Sequence, residues 1–119
     1  MVSGVAATQI YFNPGCSKCR TAQQILDEHG IEAQTLLYLD DPPTREELQR
    51  LMVMLGVDDP REMMRTGEPL YAELGLAEKQ APELLEAISR HPILLERPIF
   101  VVGDRAVVAR PPERLLVLL

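Results

Sequence analysis

The chain has 119 residues, 46% of them hydrophobic and 25% charged, which is long enough to bury a core and ordinary for a globular domain. Its formal net charge of −6 argues against a dedicated nucleic-acid-binding protein, which would carry a basic surface. The sequence does not open with a signal-peptide pattern and contains no run of about 18 apolar residues, so we expect one cytoplasmic domain over residues 1–119, with no membrane contact and with reduced cysteines.

The first third of the chain predicts a strand, a helix and a second strand. The β-branched and aromatic run at residues 7–12 is typical of a strand. Apolar positions then recur at helical spacing over residues 17–29, and Gly30 ends this predicted helix. A second strand is predicted over residues 33–39. Such a compact unit implies a parallel pair of strands joined by a right-handed crossover.

Helical patterns fill the middle of the chain, over about residues 43–91. Thr44 and Glu47 form a capping-box pattern before a helix that ends at Gly56. Further short helices are predicted after Asp59 and Pro60 and in the stretches YAELGL and PELLEAISRHP. No β pattern interrupts this region, so we expect it to form a helical insert.

The last third of the chain returns to strands. Two β-rich runs in PIFVVGDRAVVA flank a Gly-Asp turn and predict a hairpin. RPPERLLVLL predicts a short final helix with Leu115, Leu116 and Leu119 docked on the core. The order of elements predicts an α/β fold: a mixed four-stranded sheet with helices against it, which is the thioredoxin-like arrangement carrying an inserted helical subdomain.

Both cysteines lie in NPGCSKCR, residues 13–20, at the predicted turn between the first strand and the first helix. A Cys-x-x-Cys pair at this position indicates redox chemistry. The helix N-terminus and the charges of Lys18 and Arg20 favour the thiolate form of Cys16, which is the reactive form. Cys19 lies on the inward face of the helix, so we expect it to be less exposed and less reactive. We interpret Cys16 as a nucleophile.

Three other interpretations of the pair are weaker. A structural zinc site needs four ligands, and only His29 and His91 remain, at no recognised spacing. A phosphatase loop needs arginine six residues after the cysteine, where this chain has Ala22. Two small buried hydrophobic residues remain as the plainest alternative, because free cysteine is often part of a core. No metal is therefore predicted.

Five stretches resemble, in order and spacing, the glutaredoxin-coupled arsenate reductases and their close relatives with a Cys-Ser-Lys-x-Arg motif. They cover nearly the whole chain from Gln9 onward: IYFNPGCSKCRT, YLDDPPTREEL, MMRTGEPLYAELGL, HPILLERPIF and ARPPERLL. The resemblance implies a thioredoxin-like fold with a helical insert and one catalytic cysteine, which maps onto Cys16.

The resemblance also implies an oxyanion site made of three arginines, which map onto Arg65, Arg97 and Arg110. This assignment suits the chemistry, because a guanidinium offers a planar fork of donors to a phosphate-like oxyanion. Pro98 corresponds to the cis-proline that faces the cysteine in thioredoxin-like folds, although a trans bond is the default from sequence alone. The residues expected to position the cysteine or tune its pKa are Asn13, Lys18, Arg20 and Pro98.

The chain departs from the resembled family at two positions. Phe12 stands where the arsenate reductases usually carry a histidine that tunes the pKa of the cysteine. Cys19 stands where they usually carry serine, and there glutathione and glutaredoxin resolve the arsenic-bound cysteine. Cys19 could resolve it intramolecularly, which would give a Cys16–Cys19 disulfide for thioredoxin or glutaredoxin to reduce.

The function implied by the resemblance is the reduction of arsenate to arsenite. Thiols supply the electrons, so no bound cofactor is implied. Two alternatives stay open at this point. One is a general thiol–disulfide reductase, and the other is a redox regulator of the Spx type, which shares the Cys-x-x-Cys motif but binds a protein partner. The oligomeric state is not predicted.

Overall fold

The computed structural model describes residues 8–119. None of the helices in this part of the chain is both long and apolar enough to cross a membrane. Its strands are Thr8–Tyr11 (β1), Gln34–Leu36 (β2), Ile99–Val102 (β3) and Arg105–Val108 (β4), and its α-helices are Ser17–Glu28 (α1), Arg45–Leu55 (α2), Pro69–Glu73 (α3) and Ala81–Arg90 (α4). Short 3₁₀ helices occupy Pro60–Met63, Leu76–Glu78, Pro92–Leu94 and Pro112–Leu118.

The strands form one mixed sheet in the order β2-β1-β3-β4. β2 runs parallel to β1, whereas β3 is antiparallel to both β1 and β4. Helix α1 supplies the crossover between the parallel strands, and the Gly-Asp turn closes the β3–β4 hairpin. The predicted α/β fold, a thioredoxin-like mixed four-stranded sheet with helices against it, is confirmed.

Successive side chains of each strand point to opposite faces of the sheet, so the hydrophobic core has two parts, one on each face. On one face, Ile10 and Phe100 pack with residues of α1 and with Leu115 of the C-terminal 3₁₀ helix. On the other face, Ile99 and Val101 pack with residues of α2 and α4. The helical residues between 43 and 91 thus cover the sheet face opposite to α1.

Helix α2 begins where the capping-box pattern predicted. The Thr44 hydroxyl accepts from the Glu47 backbone N–H at 3.1 Å, and the Glu47 carboxylate accepts from the Thr44 N–H at 2.8 Å. The helix ends at Gly56, whose φ of +72° is the left-handed conformation that glycine adopts without strain.

Arg61 links the first 3₁₀ helix to the chain between Tyr71 and Lys79. Its guanidinium donates to the Tyr71 hydroxyl at 2.9 Å and to the carbonyl oxygens of Leu76, Ala77 and Lys79 at 2.9 to 3.1 Å. These bonds close the chain between Arg61 and Lys79 into a loop, and Arg65 lies within it.

The second strand is shorter than predicted. It ends at Leu36 instead of continuing to residue 39, because the backbone turns and both Asp40 N–H and Asp41 N–H donate to the Leu37 carbonyl at 3.0 Å. The first strand covers Thr8–Tyr11 of the predicted residues 7–12, and residue 7 lies outside the described part.

The prediction that Leu116 and Leu119 dock on the core is wrong. Leu115 is fully buried, but Leu116 is 40% and Leu119 51% exposed. The segment is a 3₁₀ helix, whose side chains repeat every three residues. Its inward face therefore carries Leu115 and Leu118, and the leucine one residue after each of them points away.

Candidate active site

The strand register brings three predicted site residues to the same end of the sheet. Ile99, the first residue of β3, pairs with Tyr11, the last residue of β1, and with Val108, the last residue of β4. The chain just after β1, just before β3 and just after β4 therefore lies at the same end of the sheet. These three segments carry Cys16, Arg97 and Arg110.

A short backbone bridge holds Arg65 at this end of the sheet. Met64 and Leu95 form an isolated antiparallel bridge, in which Arg65 N–H donates to the Leu94 carbonyl at 2.7 Å and Glu96 N–H donates to the Met63 carbonyl at 2.9 Å. The bridge holds the segment before β3 beside the segment that carries Arg65.

A pocket of about 380 Å³ opens between these segments, and we call it the arginine pocket. Its charged lining residues are Arg65, Arg97, Arg110, Glu68 and Glu96. The structure thus brings together the three arginines that the resemblance assigned to an oxyanion. Three guanidinium groups around one space favour an anionic ligand with several acceptor oxygens.

The three guanidinium groups differ in their partners. Arg110 Nη1 donates to the Arg97 carbonyl at 2.9 Å, and Arg65 Nη1 lies 3.0 Å from Glu68 Oε2. Arg97 Nε is buried and has no hydrogen-bond partner among the described residues. A buried donor without an acceptor is costly, so a ligand that accepts from Arg97 Nε would gain more than an ordinary hydrogen bond.

Two of the arginines precede prolines in cis peptide bonds. The Arg97–Pro98 bond is cis, as it is in the cis-proline position of the resembled fold, and so is the Arg110–Pro111 bond, which the sequence did not predict. The Pro98 carbonyl accepts from Ala109 N–H at 2.9 Å. This bond extends the β3–β4 pairing and keeps Arg97 and Arg110 side by side.

Cys16 is the N-cap residue of α1 and is only 8% exposed. Asn13 shapes the turn before it: its carbonyl accepts from Cys16 N–H at 2.9 Å, and its side-chain oxygen accepts from Gly15 N–H at 2.9 Å. As the N-cap residue, Cys16 lies at the free N-terminal end of α1, next to the free backbone N–H groups of the first turn.

The surroundings of Cys16 stabilise its thiolate. Burial acts to raise the pKa of Cys16, but hydrogen bonds from the backbone and thiol of Cys19 and from the backbone of Lys18 outweigh it, together with the charge of Arg97. The pKa of Cys16 therefore lies below that of an ordinary cysteine. At neutral pH this favours the nucleophilic form.

Cys19 has the opposite character. It is fully buried, and burial together with the neighbouring Cys16 thiolate raises its pKa to about 11. Its sulfur accepts from Asn13 N–H at 3.5 Å, and no disulfide joins it to Cys16. Cys19 is therefore a protonated thiol beside Cys16.

Lys18 and Arg20 are both exposed at the start of α1. Arg20 Nη1 donates to the Pro14 carbonyl at 2.8 Å, which ties the turn to the helix. The contact of Lys18 with Cys16 runs through its backbone N–H. The predicted influence of the two side-chain charges on Cys16 stays a prediction.

Sequence reasoning gave no role to Tyr38, which is 2% exposed and lies beside the site. Burial raises the pKa of Tyr38 to about 12. The two cysteines add to this rise, and the positive charges of Arg97 and Arg65 oppose it, so the phenol is neutral near pH 7. In the sequence, Tyr38 is simply the tyrosine of YLDDPP, and no pattern around it indicates a role. Phe12, at the position of the family's histidine, is half-buried against the α1 side of the core.

In the described part of the chain, no three histidine, cysteine or acidic side chains come together as a group that could hold a metal ion.

The pH dependence of alkylation tests the contrast between the two thiols. Iodoacetamide should modify Cys16 first. Its rate should rise with pH to a plateau, with a midpoint below the pKa of an ordinary cysteine, while Cys19 stays protonated until about pH 11. In Cys19→Ala a hydrogen bond to the thiolate is lost, so the plateau should shift to higher pH. Mass spectrometry of each modified site measures both rates, and an identical profile for Cys16 in the variant would contradict this account of its pKa.

Comparison with known proteins identifies the family of this chain and agrees with the fold. The model of the ArsC family matches residues 11–118. An arsenate reductase of Haemophilus influenzae is 45% identical over 112 residues, which cover 92% of this chain and 97% of that protein. The uncharacterized protein YfgD of Escherichia coli is 43% identical, with 91% and 92% covered. The structure of an arsenate reductase from Vibrio cholerae superposes with a TM-score of 0.93 at 42% identity, over 97% of this chain and 99% of that one.

Proposed function

This chain belongs to the ArsC family, and on that premise we propose that it reduces arsenate to arsenite with Cys16 as the nucleophile. The observation that carries the proposal concerns Arg97. Its guanidinium lines the arginine pocket, and its charge also acts on the Cys16 sulfur. Cys16 itself does not line the pocket, so we propose that an oxyanion bound by Arg97 is within reach of the thiolate, and that the arginines offset the repulsion between the two anions.

The first step forms a bond between sulfur and arsenic. Arg65, Arg97 and Arg110 bind the oxygens of arsenate, and the Cys16 thiolate attacks arsenic(V). One oxygen leaves as hydroxide and takes up a proton to become water. The product is an arsenic(V) thioester on Cys16, and no oxidation or reduction has yet occurred.

The second step transfers two electrons from sulfur to arsenic. We propose that Cys19 loses its proton to solvent and attacks the Cys16 sulfur, so that a disulfide forms while the electron pair of the sulfur–arsenic bond stays on arsenic, which takes up a proton on oxygen and leaves as arsenite. Burial still raises the pKa of Cys19 at this stage, but the thiolate of Cys16, which raises it further, is gone once arsenic is bound. The Asn13 N–H and Arg97 then favour ionisation of Cys19.

The cycle closes when an external thiol reduces the Cys16–Cys19 disulfide. Thioredoxin, or glutaredoxin with glutathione, is the chemical class of donor, and this places the reaction in the cytoplasm, where such reductants are maintained. No bound cofactor enters the proposed cycle.

A single-turnover experiment tests this cycle. Reduced protein freed of external thiol should convert arsenate to about one arsenite per chain and lose both free thiols. In Cys19→Ser the yield should fall by at least about tenfold, because an internal thiol acts at an effective concentration that a second chain cannot match. Arsenite is measured by arsenic speciation and thiols by a colorimetric count. An undiminished yield from Cys19→Ser would contradict internal resolution.

A further inference from the structure

Glu68 and Glu96 are the two carboxylates that line the arginine pocket, and of the two only Glu68 forms an ion pair with a pocket arginine among the described residues. Its side chain is 19% exposed and lies 3.0 Å from the Arg65 guanidinium, which is itself 29% exposed. Arg65 is the only pocket arginine with an anionic partner in the described part of the chain, because Arg110 donates to a backbone carbonyl and Arg97 Nε has no acceptor.

The backbone keeps Glu68 at this position. Glu68 N–H donates to the Arg65 carbonyl at 3.0 Å, and its own carbonyl accepts from Tyr71 N–H at 2.9 Å in the first turn of α3. Pro69 follows as the first residue of that helix. The side chain makes no capping bond to the helix, so its contact with Arg65 is the one polar contact that the structure gives to the carboxylate.

We propose that Glu68 competes with the oxyanion for Arg65 and keeps the affinity of the pocket for free tetrahedral oxyanions low. This inference rests on the proposed function. Arsenate and phosphate have the same tetrahedral shape and similar charge, so three arginines alone cannot discriminate between them. An incoming oxyanion must take Arg65 from Glu68 and approach a like charge, which costs binding energy for both anions.

Weak binding has a consequence for the choice of substrate. Only arsenate can go on to be reduced by thiols, so the covalent step at Cys16 separates the two anions. A pocket that held phosphate tightly would be blocked before that step. Glu68 thus lowers the occupancy of the pocket by either anion, and arsenate is selected at the thiol step, where the two anions differ.

Calorimetric titration with inorganic phosphate tests the proposal on the reduced protein. Glu68→Gln keeps the shape of the side chain but removes its charge, so the Kd for phosphate should fall by about tenfold, and phosphate should inhibit arsenate turnover more strongly. Glu68→Asp keeps the charge in the pocket and should bind phosphate nearly as weakly as the native protein. Glu73→Gln removes an exposed charge from α3, outside the pocket, and serves as the matched control.

Each outcome decides between distinct accounts. A lower Kd in Glu68→Gln but not in Glu73→Gln supports competition by Glu68. An unchanged or higher Kd in Glu68→Gln, with binding by the native protein intact, overturns the competition while leaving the oxyanion pocket in place. If neither phosphate nor arsenate binds to any form, the arginine pocket is not an oxyanion site, and the proposed function fails with it.

Discussion

Cys16→Ser should lower arsenate-dependent turnover by roughly 10³-fold or more, because a serine hydroxyl is not ionised near neutral pH and cannot supply the sulfur electrons that reduce arsenic. The structure gives a reason for this dependence. The hydrogen bonds from Lys18 and Cys19 and the charge of Arg97 all act on the Cys16 sulfur. The measurement is the rate of arsenite formation with an excess of external reductant.

The neighbouring Ser17 offers a matched control for this variant. Its side chain is exposed at the start of α1, so Ser17→Ala should retain nearly the full rate. Both variants should keep the thermal unfolding profile of the native protein. Turnover by folded Cys16→Ser within a few fold of the native rate would remove Cys16 from the proposed chemistry.

Arg97→Lys should raise the KM for arsenate by about 10- to 100-fold, the effect of losing one or two charge-assisted hydrogen bonds. Lysine retains the positive charge but not the planar fork, nor the Nε donor that is buried without a partner in the described structure. The pH profile of Cys16 alkylation should change little, because a positive charge near the thiolate remains. The variant therefore separates binding of the oxyanion from activation of the thiol.

Arg105→Lys is the control for this comparison. Arg105 lies exposed on β4 and outside the arginine pocket, so the same change of side chain should leave saturation by arsenate unaltered. Steady-state kinetics over a range of arsenate concentrations measure both variants. Equal KM values for Arg97→Lys and Arg105→Lys would place Arg97 outside the binding site.

Local signals in the sequence predicted most of the fold. The capping box at Thr44, the Gly-Asp hairpin turn and the helix in PELLEAISRHP depend on neighbours within a few residues, and each is present in the structure. The two wrong predictions concern local backbone geometry. The end of β2 at Leu36 and the three-residue repeat around Leu115 are set by a turn and by a helix type that the residue pattern did not distinguish.

Some features of the candidate site could likewise be predicted from local sequence, and others could not. The contrast between Cys16 and Cys19 could be predicted from a short motif at a helix N-terminus, and the structure gives them pKa values shifted in opposite directions. The gathering of the arginines depends on strand register and on a backbone bridge, so only the family resemblance predicted it. Tyr38 and Glu68 carry no local signal of a role, because their importance comes from groups distant in sequence.

Arsenate-dependent consumption of NADPH is the direct test of whether the native protein reduces arsenate. The assay couples the protein either to thioredoxin and its reductase or to glutathione, glutaredoxin and glutathione reductase. We expect consumption that requires both arsenate and Cys16, with stoichiometric formation of arsenite. If neither system supports arsenate turnover while Cys16 and Cys19 still cycle between dithiol and disulfide, the protein is a thiol–disulfide reductase or a redox regulator, and the arsenate assignment is contradicted.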